Sequence, residues 1–130
     1  LNISRSVYGM WELEQDFIPV KRLNDFCNYF NISIDYVLEL SDIKQYANFK
    51  KEIDKNKIKE RVKFLRKEKK LTQERLASKI NIAQSLISKY ENGTNMILTC
   101  NLIEYCRFFG VSADYLLGKI DEPIKISKSF

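Results

Sequence analysis

A chain of 130 residues, 45% hydrophobic and 30% charged, has the size and balance of one ordinary globular domain or two very small ones, which excludes a disordered polymer. It contains no histidine and no CxxC pair among Cys27, Cys100 and Cys106, so the Cys/His zinc patterns cannot be completed and three reduced, packed thiols are expected. The net charge of +5 is unevenly placed: residues 1–40 carry −3 and residues 41–130 carry +8, so a polyanion is drawn to the second part and repelled by the first.

In chain order, residues 1–40 read as three short helices: SRSVYGMWE, NDFCNYF and IDYVLEL. Residues 41–56, SDIKQYANFKKEIDKN, have few turn formers and apolar or long side chains at helical spacing (Ile43, Tyr46, Ala47, Lys50, Ile53), which predicts a helical connector. KIKERVKFLRKEKK then places Ile58, Val62 and Leu65 beneath a basic face, predicting a helix that ends before Leu71. Its lysines Lys63, Lys67, Lys69 and Lys70 read as a solvated face with one or two phosphate contacts at most. Thr72 caps a second helix, QERLASKI, with Glu74 in the first turn, where the helix dipole favours an acid. Asn81 follows at a point where a tight turn needs a left-handed residue. A third helix, AQSLISKYE, turns Ile87 and Tyr90 inward and stops at Asn92-Gly93; Leu86 either packs or touches a base, and packing is favoured. A fourth helix around NLIEYCRFF and a short fifth one, capped by Ser112 around ADYLLG, supply the core residues Tyr105, Phe108, Phe109, Tyr115, Leu116 and Leu117. The tail, 119–130, is short, Pro-interrupted and expected to be extended or loose.

The chain also repeats itself. Shifted by 79 positions, residues 1–40 lie over 80–119 without a gap, and roughly twelve of about forty positions match, including Leu23/Leu102, Cys27/Cys106, Phe30/Phe109, Asp35/Asp114 and Tyr36/Tyr115. The first copy begins at the equivalent of Ile80, so it lacks the first two helices of the unit. Because the chain starts at Leu1 and not at Met, further residues are expected upstream.

Two short helices joined by a tight turn, with the small Ala77 where they approach, make a helix-turn-helix. LTQERLASKINIAQSLISKYENG and FGVSADYLLG resemble the phage-repressor-like helix-turn-helix family, also called Cro/cI or XRE, over about residues 57–118. The resemblance implies an all-α, lambda-repressor-like five-helix domain that binds double-stranded DNA with its third helix, mostly in repressors that act as dimers, here preceded by a truncated copy. It further implies that Gln84, Ser85, Ser88 and Lys89 face the major groove, where glutamine can pair with adenine, lysine with guanine, and serine with either. Gln73 matches the family's phosphate-clamping glutamine; Asn92, Thr94 and Asn95 are expected as further backbone contacts. Arg66 and Glu91 match a buried ion pair of structural purpose.

The first copy suits DNA poorly, with Gly9 and Met10 in place of Ser88 and Lys89, and with Glu14 and Asp16 in the following loop. Its Val7, Tyr8, Trp11 and Phe17 lack the helices that would cover them. Three covers stay open: a missing N-terminal segment, the chain's own second unit, or a partner copy or protein. Apolar runs are too short to span a membrane and no leader is recognisable, so the expected location is the cytoplasm. Without a histidine, Gly-rich phosphate loop, nucleophile elbow or convincing carboxylate pair, no enzyme, cofactor or metal is expected. The expected function is sequence-specific regulation of transcription, as a homodimeric repressor; the competing one is an antitoxin-like interaction or dimerisation module that keeps the fold with DNA reading secondary.

Overall fold

A computed structural model describes residues 18–126, and within them the chain is all-helical apart from a single antiparallel bridge between Val111 and Lys125. The elements are α1 (Val20–Phe30), α2 (Ile34–Val37), α3 (Lys55–Glu68), α4 (Gln73–Ile80), α5 (Gln84–Asn92), α6 (Thr99–Phe109) and α7 (Ala113–Leu116). The helix expected at SRSVYGMWE, with Val7, Tyr8, Trp11 and Phe17, lies outside the described residues. None of the described helices is long and apolar enough to cross a membrane.

Local chemistry sets the boundaries of α3 to α7. The Asp54 carboxylate accepts from the N–H groups of Asn56 (3.0 Å) and Lys57 (3.2 Å) and so starts α3, which buries Ile58, Val62 and Arg66 on one stripe four residues apart. Thr72 accepts from the Arg75 N–H (3.1 Å) and Ser112 from the Tyr115 N–H (3.1 Å), starting α4 and α7. Asn81 takes the left-handed conformation, φ 56°, that the turn between α4 and α5 needs, and Gly93, φ 76°, ends α5. Leu76, Ile87, Tyr90, Leu102, Tyr105 and Leu116 meet in a core with at most 1% of their surface exposed. Each such side chain contributes roughly 1.5–3 kcal/mol, so the five helices hold together by burial more than by propensity.

Residues 41–54 correct the expectation of a helical connector, for they contain no helix. Of the five positions that suggested helical spacing, only Tyr46 is buried; Ile43, Ala47 and Lys50 are exposed. The segment is held instead by groups on its two flanks. Asn24 and Asn28 of α1 both donate to the Lys51 carbonyl (2.9 and 2.8 Å), and the N–H groups of Lys50 and Asp54 donate to the Lys119 and Leu117 carbonyls (2.7 and 2.9 Å). With those backbone groups bonded to distant elements, a local helical ladder has nothing left to gain. The boundary at 118 also moves: Lys119 and Ile120 are buried, Ser112 N–H donates to the Ile124 carbonyl (2.9 Å), and Ile126 N–H to that of Gly110 (3.3 Å). The tail is therefore extended and fastened to the domain as far as Ile126.

The helices before the connector keep the same spacing as those at the end of the chain. α1 and α6 are both 11 residues long, α2 and α7 are both 4, and each pair is offset by 79 positions. Leu23/Leu102 and Cys27/Cys106 are buried in both pairs, Ser33 and Ser112 cap the short helices, and Asn31/Gly110 and Glu39/Gly118 all turn left-handed. Only one position of the last pair requires glycine. A Cβ on Gly118 would lie 2.7 Å from Asp54 Cβ, at the start of α3, whereas Glu39 is exposed.

Candidate nucleic-acid interface

α5 divides its residues between two faces. At about 100° per residue, Gln84, Ser85, Ser88 and Lys89 fall within a roughly 140° arc, and Leu86, Ile87, Tyr90 and Glu91 fall opposite. Gln84, Ser85 and Lys89 are exposed and Ser88 is half-buried; Ile87, Tyr90 and Glu91 are buried and Leu86 packs at the core margin. The four polar side chains thus form one outward strip on a helix whose other face cannot rotate without opening the core. Asn92 continues the strip and donates to Ser88 Oγ (3.5 Å), and the exposed Thr94 and Asn95 follow in a loop tightened by the Thr94 N–H bond to the Lys89 carbonyl (2.9 Å).

The opposite face is anchored by charge. Arg66 of α3 donates from Nε to Glu91 Oε2 (2.7 Å), from Nη2 to Oε1 (2.9 Å), and from Nη1 to the Leu71 carbonyl (2.7 Å). Gln73, the first residue of α4, donates from Nε2 to the same Glu91 Oε1 (3.1 Å). One carboxylate therefore ties α3, α4 and α5 together, and its hydrogen bonds hold the Arg66 guanidinium above its ordinary pKa. Gln73 is half-buried and gives one N–H of its amide to Glu91, which positions the second N–H of Nε2 at the N-terminal end of α4, where it can donate to an anion.

Arg66 and Glu91 pair as expected, and Gln73 joins them in one unit that carries no periodic signal, because Gln73 and Glu91 are 18 positions apart on different helices. Two lysines outside the expected set also lie beside this face. The Lys59 stem lies 3.2 Å from where a Cβ on Gly93 would sit, and Lys55 lines the same hollow as Thr94 and Asn95, so two α3 cations flank the loop after α5. They sit in the N-terminal half of α3, ahead of the lysines the sequence emphasised. Of those, Lys63, Lys67, Lys69 and Lys70 are exposed, and Lys69 Nζ stands 5.7 Å over the Phe108 ring.

Two short helices around a left-handed Asn81, the second presenting a fixed polar strip, define a helix-turn-helix. Residues 59–122 match the family described as a helix-turn-helix domain, a segment that opens within α3, ends beyond α7, and leaves α1 and α2 outside. The chain is also 42% identical over 64 residues to a Bacillus subtilis (strain 168) protein named uncharacterized HTH-type transcriptional regulator YobD. That alignment takes in 49% of this chain and 57% of the relative's length. No solved structure matches the chain at a significant level.

Proposed function

We propose that the chain is a sequence-specific DNA-binding regulator of transcription, a repressor in the cytoplasm, that reads the major groove with α5. The observation that carries this reading is the outward strip of Gln84, Ser85, Ser88 and Lys89 on a helix locked from behind by Ile87, Tyr90 and the Arg66–Glu91 pair. Such an arrangement presents donors and acceptors at fixed depth, which is what base-edge recognition requires. In this reading α3 to α7 form a lambda-repressor-like five-helix domain, and Gln73, Asn92, Thr94 and Asn95, with Lys55 and Lys59 beside them, hold phosphates and set the register. The +8 charge of residues 41–130 supplies the sequence-independent attraction. The name of the Bacillus subtilis relative points the same way.

The first 40 residues are, on this reading, a degenerate copy of the unit, supported by the equal lengths and 79-residue offset of α1/α6 and α2/α7. Selection from a pool of random duplexes tests the function. One short sequence should be enriched, with affinity falling steeply as salt rises, and Gln84→Ala with Lys89→Ala should lose about 1–3 kcal/mol of discrimination at each base they touch. An interaction module with DNA reading secondary would enrich no sequence, and both variants would bind DNA like the wild type.

A further inference from the structure

We propose that the contact between α2 and α7 is a dimer interface folded into one chain, so that the protein binds DNA as a monomer at a single half-site without two-fold symmetry. The first part rests on the geometry below; the second also rests on the proposed DNA reading.

The contact has the signature of a two-fold interface, in which residue i meets j and j meets i. The Asp114 carboxylate accepts from the N–H groups of Ile34 (3.2 Å) and Asp35 (2.8 Å), at the N-terminus of α2. Reciprocally, the Asp35 carboxylate accepts from the Ala113 N–H (2.6 Å) and the Ser112 hydroxyl, at the N-terminus of α7. Ile34/Ala113 and Asp35/Asp114 are themselves the pairs related by the 79-residue shift. Two unrelated surfaces have no reason to meet in that register; two copies of one surface do.

The interface is closed. Ile34, Asp35, Ala113 and Asp114 are all at most 1% exposed, and Cys27 and Cys106 are buried on either side. Asp35 also accepts from the Tyr46 hydroxyl (2.7 Å), and the buried Lys119, whose charge acts on Asp114, donates to Asn28 Oδ1 (3.2 Å). Here the two-fold relation breaks: Lys119 stands where the first copy has Leu40, and Tyr46 comes from the connector between the copies. These groups serve only a contact made once, between fixed and non-identical halves. A second chain cannot reach α7 while α2 covers it, and opening the contact would break the four reciprocal hydrogen bonds and return the buried Ile34 and Ala113 to water. Among the described residues each chain therefore offers one intact reading helix, α5, with no symmetric partner across this face.

The test weighs the full chain by sedimentation velocity, alone and on the duplex enriched from the random pool. The expected result is a monomer over a wide concentration range, one chain per duplex, and an enriched site with no inverted repeat. A dimeric free chain, or two chains on an inverted repeat with half-sites about one turn, roughly 34–36 Å, apart, would overturn the proposal and point to pairing through another face such as the exposed Tyr29. If no sequence is enriched, the DNA reading fails, and the mass of the free chain still decides the interface: a monomer upholds it and a dimer overturns it.

Discussion

Replacing Glu91 with alanine removes the acceptor of three hydrogen bonds at once: two from Arg66 at 2.7 and 2.9 Å and one from Gln73 at 3.1 Å. The Arg66 side chain, 11% exposed, would keep only the Leu71 carbonyl as a partner. Breaking a buried ion pair from one side costs about 3–5 kcal/mol, because the surviving charge stays desolvated. Against a typical total of ~5–15 kcal/mol this is a large share, and with a urea m-value of ~1–3 kcal/mol/M the midpoint should fall by roughly 1–5 M. The double variant Arg66→Met with Glu91→Leu removes both charges and should recover most of that loss. It leaves the Gln73 amide without its anchor, so the folded double variant should bind all DNA sequences more weakly. Urea unfolding followed by circular dichroism measures the first effect, and salt-titrated duplex binding the second. A loss below about 1 kcal/mol for Glu91→Ala, or a double variant as unstable as the single one, would refute the account of a desolvated charge held by its partner.

Other consequences are open to simpler measurements. Burial, and then the charge of Asp35, push the Asp114 carboxyl well above the usual range. A folded-state pKa that is raised contributes stability present below the unfolded value of about 3.9 and lost as pH rises through the folded one. The wild type should therefore lose urea resistance relative to Asp114→Asn as pH rises from about 4, and parallel pH profiles would rule this out. Burial pushes the Cys27 thiol up to about 12 and that of Cys106 well above its ordinary value, while Cys100 is half-exposed. Ellman's reagent should accordingly modify Cys100 first and the other two only on unfolding; three equal rates would contradict the packing. Gly118→Ala should cost ~1–2 kcal/mol for the left-handed backbone, and more for the collision with Asp54, whereas Glu39→Gly should be neutral or slightly stabilising; thermal melts separate the two.

The parts of the fold legible in the sequence are those fixed by near neighbours. Thr72 and Ser112 mark helix starts, Asn81 and Gly93 mark turns, and Ile87 and Tyr90 mark the inward face of α5, each through chemistry acting within a turn or two of helix. The connector departs from its local pattern for the converse reason. Tyr46 and Ile53 do fall at helical spacing, but what holds this segment is the reach of Asn24 and Asn28 to Lys51 and of Lys50 and Asp54 to the carbonyls near the end of the domain. Tertiary partners that satisfy backbone groups override a weak local preference. The polar strip of α5 was legible for the same reason as its core face, whereas Lys55 and Lys59 became visible only once α3 was seen to run beside the loop after α5.

The 79-residue offset of α1/α6 and α2/α7 separates a match of residues from a match of roles. Asp35 and Asp114 are the same residue at the same place in α2 and α7, and in an isolated unit each would be an ordinary acid in the first turn of a four-residue helix. Across the α2/α7 contact each side chain becomes the acceptor at the N-terminus of the other's helix, so the shared spacing yields buried, reciprocal hydrogen bonds. The neighbouring pair Glu39 and Gly118 differs, because the start of α3 lies against Gly118 whereas Glu39 is exposed. The two stretches keep the same residue where they touch each other, and differ where α3 packs against Gly118 while Glu39 is exposed.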